Sequence, residues 1–185
     1  MASLIVPPFI CAMASVMTTF LVSQILAGIS FGLDISAFHF RHRTMTLTLL
    51  AGSTSLLALH FYLLEQPVAS GLMTIAACRF TAAILTQRLW AMWVFMAASV
   101  ICSACFWQGM TNLLPLAGSL LMTFASFQDK TNKLRGYTLG GSLCWVLNNV
   151  IVGSPMAIIM EMAFSGSILL AAWRHYSVNK RSGWV

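Results

Sequence analysis

Long apolar stretches alternate with short polar breaks along almost the whole chain. The stretches run at about 17–38, 44–64, 67–86, 89–107, 112–128, 136–152 and 155–173. Each is near the roughly 20 residues that carry a helix across a bilayer. The breaks hold charge or turn chemistry: His39 to Arg43, Glu65-Gln66-Pro67, Gln87-Arg88, Gln108-Gly109, Asp129 to Arg135 and Gly153-Ser154-Pro155. The pattern predicts an all-α, polytopic membrane helical bundle of seven transmembrane helices.

Composition removes the soluble alternative. Of 185 residues, 59% are hydrophobic and only 8% are charged, against about 25% charged in a soluble domain. A water-soluble fold of this length has too little interior to hide that apolar surface. A single transmembrane domain, 1–185, is therefore expected, with the lipid bilayer as its constant partner. No cleaved signal peptide is expected, because no basic segment precedes the first apolar run. Pro7 and Pro8 suggest that the first helix starts after them.

Charge gives a direction. Nine of the ten Lys and Arg residues follow the first, third, fifth and seventh stretches: Arg41 and Arg43, Arg88, Lys130, Lys133 and Arg135, then Arg174, Lys180 and Arg181. Cytoplasmic loops collect Lys and Arg. The N-terminus is expected outside and the C-terminus in the cytoplasm. Trp90, Trp93, Trp107, Trp173 and Trp184 fall near stretch ends, as interfacial anchors do. Basic residues in short clusters, rather than on one continuous face, argue against a nucleic-acid partner.

A shift of 88 positions superposes landmarks without a gap. Gly52 falls on Gly140, Leu59 on Leu147, Pro67 on Pro155, Ala69 on Ala157 and Ala83 on Ala171. This predicts a 3+1+3 plan of two parallel triple-helix repeats, 20–86 and 112–176, joined by a linker helix at 89–107 and followed by a cytoplasmic tail at 177–185. Parallel repeats are a known transporter plan, with the site between them near the midplane.

The segments SQILAGISF, LHFYLLEQPVASG and ACRFTAAILTQR, then LLPLAGSLLMTFASF and CWVLNNVIVGSP, resemble the YgjV family of bacterial inner-membrane proteins. The Glu161-containing start of the seventh stretch and the Trp173-Arg174 pair continue the likeness. It covers about 20–176, and the first 19 or so residues look like an extension. The resemblance implies a bacterial inner membrane and the topology, with no established activity. More distantly, the layout is similar to SWEET and PQ-loop transporters. A PQ dipeptide is absent, and Pro67, Pro115 and Pro155 stand at helix starts rather than at midhelix hinges. Trp145 is the one position that the likeness carries to a pocket tryptophan.

Ionisable side chains inside hydrocarbon are costly and face the bundle interior or water. Asp34 and Arg79 lie at depths that differ by roughly 7 Å at a rise of about 1.5 Å per residue. They are expected to form an intramembrane ion pair, either a static lock or a gate, with Arg79 snorkelling to the cytoplasmic headgroups without a partner as the alternative. Glu161 lies about 9 Å deep by the same rise. His60, Asn148 and Asn149 are candidate neighbours at a similar level. Two readings stay open: a hydrogen-bonded clasp between helices, or a site for a small polar solute and protons. Ser142, Trp145 and Asn149 share one helical stripe, with Asn148 beside it, so an aromatic face meets amides that suit a polar solute.

Enzyme chemistry is not expected, because no phosphate loop, metal-ligand spacing or nucleophile–base pair is present. No cofactor and no metal are expected. Cys102 and Cys105 form a C-x-x-C that no second pair or histidine completes. The competing functions are a solute transporter and a non-transport assembly partner or sensor whose polar residues are structural. The sequence leaves the oligomeric state open.

Overall fold

The computed structural model describes residues 8–37, 43–86, 88–128 and 131–182, with side-chain surroundings for 16–37, 44–86, 88–128, 133–170 and 173. Among the described residues the chain is all helical. The elements are α1 (Pro8–Ala37), α2 (Arg43–Leu63), α3 (Pro67–Leu85), α4 (Leu89–Cys105), α5 (Leu113–Ala125), α6 (Thr131–Val152) and α7 (Pro155–Ser182). One 3-10 turn, Met110–Asn112, leads into α5.

Three helix ends differ from the hydropathy pattern. α1 starts at Pro8 rather than after it. A proline is favoured at the first helical position, where its missing N–H has no partner to lose. α6 starts at Thr131 and takes in Lys133 and Arg135, and α7 continues to Ser182. Lys and Arg are good helix formers. Hydropathy falls where water begins, and the helix continues into it.

Three spans, Val16–Ala37, Thr44–Leu63 and Pro67–Leu85, are long and apolar enough to cross a membrane. The apolar helices Leu89–Cys105, Met110–Ala125 and Pro155–Leu170 are shorter. The 17 residues of α4 reach about 25 Å at ~1.5 Å per residue, somewhat less than the ~30 Å of a typical hydrocarbon core. Trp90, Trp93, Trp107 and Trp173 are all exposed, the disposition of interfacial anchors. Arg41, Lys130 and Trp184 lie outside the described residues, as do the side chains of Arg43, Arg174, Lys180 and Arg181.

The turn after α2 and the turn after α6 are built alike. Glu65 and Gly153 both take left-handed backbone, at φ 58° and 71°. The N–H of Gln66 donates to Phe61 O at 2.9 Å, and that of Ser154 to Asn149 O at 3.0 Å. The N–H of Glu65 donates to Tyr62 O and that of Gly153 to Val150 O. Each is a Schellman stop, which satisfies the last carbonyls of the helix. Pro67 and Pro155 then open α3 and α7.

The likeness extends into the packing. A Cβ added to Gly52 would lie 3.7 Å from Leu33 Cδ1, and one added to Gly140 would lie 3.6 Å from Leu121 Cδ1; both pairs lie 88 positions apart. Leu57 and Trp145, Ala69 and Ala157, and Leu72 and Met160 are likewise pairs at that spacing, and all are buried. Helix α2 packs between α1 and α3, and α6 between α5 and α7. Two further contacts cross between these groups, α1 with α7 and α3 with α5, while α4 touches α3 and α5. The hydrophobic core gathers Ala27, Leu57, Phe61, Val68, Leu72, Met73, Trp145 and Met160, with Met122 and Leu116 packed against it.

Candidate functional site: the polar seams between helices

The α1–α7 seam carries both deep acids. Glu161, only 8% exposed, accepts a hydrogen bond from the Ser142 hydroxyl. Ser142 is shared with Ser165 Oγ at 2.7 Å, so the Ser165 hydroxyl donates to Ser142 when Ser142 donates to the carboxylate. Across the seam, Asp34 of α1 lies near the Ser53 hydroxyl of α2. Ser53 Oγ also lies 2.8 Å from Ser30 Oγ. Asp34 on α1 and Glu161 on α7 belong to helices that pack together, and neither acid has a basic partner among the described residues. Two carboxyls at membrane depth without a counter-charge need a proton or a cation to reside there cheaply.

The expected Asp34–Arg79 pair does not form in this structure. Arg79 Nη1 donates to Thr123 Oγ1 of α5 at 2.8 Å, and its guanidinium lies over the Phe80 ring at 5.1 Å. Depth alone brought the two residues together; the helix faces send Asp34 toward α2 and α7, and Arg79 toward α5.

His60 is fully buried and does not meet Glu161. Its Nδ1 lies 2.8 Å from the Ser23 carbonyl, which can only accept, so the ring proton resides on Nδ1. Nε2 is then an acceptor for the Ser154 hydroxyl at 3.1 Å. Ser154 Oγ in turn receives the N–H of Ala157 at 3.4 Å, capping α7. Gln24 of α1 completes the node: its Oε1 receives the N–H of Met156 at 3.2 Å. Gln24, Ser154 and Ser53 were missed in the sequence. The only signal for them was serine directly before Pro155, a capping pattern.

Trp145 is enclosed at 1% exposure, with the Phe61 ring centroid 5.6 Å away. The Gly118 backbone sits so close that an added Cβ would fall 2.8 Å from the indole Cδ1. Asn148 and Asn149 are buried beside it, and Asn148 Nδ2 and Asn149 Oδ1 have no hydrogen-bond partner. Two open hollows are elsewhere. One of about 740 Å³ lies between α2 and α3, lined by Ser55, Tyr62, Ser70 and Thr74 among others. One of about 400 Å³ lies beside Thr19, Glu65 and Gln108. Among the described residues no group of three His, Cys, Asp or Glu side chains is placed to hold a metal.

An all-helical chain with acids and amides buried at membrane depth suits an integral membrane protein, and sequence comparison decides which kind. Residues 21–179 match the family model Imp-YgjV, a bacterial inner membrane protein. The chain belongs to the YgjV family of bacterial inner membrane proteins. It is similar to the inner membrane protein YgjV of Escherichia coli (strain K12), 26% identical over 161 residues, covering 85% of this chain and 88% of that one. No solved structure matches. Membership of the YgjV family begins where the sequence resemblance does, near residue 20, and takes in both polar seams.

Proposed function

We propose that this YgjV-family chain is a transporter or facilitator of a small polar solute. In this reading the helices form two triple-helix units, α1–α3 and α5–α7, joined by α4, with the N-terminus outside and the C-terminus cytoplasmic. The repeated turns, the repeated glycine–leucine contacts and the reciprocal α1–α7 and α3–α5 seams support that plan.

One observation carries the functional reading. The two seams are each other's internal control. At the 88-residue spacing, Glu161 corresponds to Met73 and Asp34 to Met122, and both methionines pack in the hydrophobic core. The architecture therefore closes its α3–α5 seam with thioethers at the places where its α1–α7 seam holds two carboxyls. A clasp that only held helices together would be served by the apolar version at lower desolvation cost. Intramembrane acids are by default marks of substrate or proton paths. Glu161 with Ser142 and Ser165, facing Asp34 with Ser53, forms the polar lining; Trp145, Asn148, Asn149 and His60 lie on the flanking walls. Rocking of one unit against the other would expose the lining to each side in turn, with a proton on Glu161 as the coupling device.

The second reading, an assembly partner or sensor with structural polar residues, has one observation in its favour: the bundle is packed at the level of Trp145. Flux separates the two. The purified protein in liposomes, assayed with a solute panel at two pH values, should pass at least one solute above protein-free vesicles. Glu161→Gln should keep the fold and lose the pH dependence of that flux. Absence of flux for every solute, with protein correctly inserted, favours the second reading.

A further inference from the structure

Arg79 is a fixed cation without an anion. Its Nη1 donates to Thr123 Oγ1 at 2.8 Å, and the Phe80 ring centroid lies 5.1 Å from its Cζ. Among the described residues no carboxylate reaches it. A guanidinium carries five N–H donors and is always charged, so most of its donors are unused. A ring face is a weak substitute for a counter-ion, and a charge at membrane depth is costly unless it has a partner. The unused donors are within reach of a ligand. Arg79 keeps partial exposure, and its other nitrogens are not sealed in the interior as Asn112 Nδ2 and Asn148 Nδ2 are.

The groups beside it on α5 are donors as well. Thr123 is buried and uses its oxygen to accept from Arg79, which leaves its own proton without an acceptor among the described residues. Ser119, one turn earlier on the same face of α5, is also buried, and its hydroxyl donates to no carbonyl among the described residues. Hydroxyls in helices commonly bond the carbonyl four residues back. Thr74, Thr81 and Ser126 do so, to Ser70 O, Ala77 O and Met122 O. Thr123 and Ser119 are the exceptions, and they flank the cation. The position 88 residues after Arg79 is Ser167, whose hydroxyl bonds Phe164 O of its own helix, so the repeated plan does not call for a cation at this register.

A cluster of unused donors around a permanent positive charge suits an acceptor that carries negative charge. We propose that Arg79, aimed by Thr123 and joined by Ser119, is a binding site for an oxyanion, phosphate or carboxylate, between α3 and α5. The planar guanidinium matches either group with two parallel N–H···O bonds. Arg79 lies six residues before the end of α3 at Leu85, about 9 Å at ~1.5 Å per residue. Exposed Arg88 and Lys133 stand at that end of the bundle, where their charge raises the local concentration of anions. The oxyanion comes either from an anionic phospholipid headgroup or from a soluble anion. The site goes beyond the transporter reading and does not depend on it.

Binding tests it without reference to flux. The full chain is purified, stripped of lipid and placed in nanodiscs of phosphatidylcholine alone, and its thermal midpoint is followed by tryptophan fluorescence. One arm adds phosphatidylglycerol to the discs. The other adds inorganic phosphate or acetate to the buffer at constant ionic strength. At least one arm should raise the midpoint saturably. Arg79→Gln should weaken that response about 10- to 100-fold in concentration, the loss expected when charge-assisted hydrogen bonds are removed. If Arg79→Gln fails to insert, Arg79→Lys, which keeps the charge and loses the fork, should weaken it about tenfold. A response to phosphatidylglycerol alone assigns the site to a lipid headgroup, and a response to phosphate or acetate assigns it to a soluble anion. No saturable response of the wild-type chain to any probe, or an equal response in the Arg79 variants, would overturn the site.

Discussion

Glu161 takes the Ser142 hydroxyl, and Ser142 is supported in turn by Ser165; Met73, its counterpart, belongs to the hydrophobic core. That contrast makes a prediction that ordinary mutagenesis does not. Asp34→Met and Glu161→Met copy residues the fold already accepts at equivalent positions. The double variant is expected to insert and to melt no earlier than the parent, by thermal shift in detergent, while losing function. A drop of more than about 2 kcal/mol, the range of a broken buried polar network, would instead make the acids structural. A second residue-scale prediction concerns close approach. A Cβ on Gly141 would lie 3.0 Å from the Gly118 carbonyl oxygen, a backbone atom that yields little. Gly141→Ala should cost about 1–3 kcal/mol through overpacking. Gly140→Ala, whose nearest neighbour is a leucine methyl at 3.6 Å, should be tolerated. The sequence made Glu161, Asp34 and Arg79 visible because charge in hydrocarbon is conspicuous. Their partners were invisible, because a hydrogen bond depends on which helix faces which. Depths within reach of an arginine side chain suggest an Asp34–Arg79 pair, and facing direction separates the two in the fold.

Helix ends were legible where the backbone chemistry is special. Pro67 and Pro155 mark the starts of α3 and α7, and Gly153 marks the stop before α7. Glu65 was legible only as a charge, although it holds the same left-handed conformation as Gly153. A non-glycine residue there costs roughly 1–2 kcal/mol. Glu65→Gly is therefore expected to stabilise the protein by about 1 kcal/mol, and Gly153→Ala to destabilise it by a similar amount. Both shifts are measurable by denaturation in the same detergent. Equal and negligible effects would mean that the two turns are not built alike. The starts of α6 and the end of α7 were not legible. Lys133, Arg135 and the basic residues after Trp173 break the hydropathy pattern without breaking the helix.

At the scale of the whole molecule, the 88-residue spacing read from prolines and glycines extends into turn geometry, burial and inter-helix contacts. What the spacing could not reveal is that the α1–α7 seam holds Asp34 and Glu161 where the positions 88 residues away, Met122 and Met73, pack in the core. A difference of that kind sits in a few residues, so it leaves little trace in composition or periodicity. The central claim is that the carboxyl-bearing seam is a solute path and not a helix clasp. Uptake of a solute panel into proteoliposomes by the wild-type chain and by Glu161→Met tests it most directly. The account predicts flux above protein-free vesicles for at least one small polar solute, abolished in Glu161→Met although the variant inserts and melts like the parent. Flux undiminished in Glu161→Met, or no flux for any solute from fully inserted wild-type protein, would contradict it.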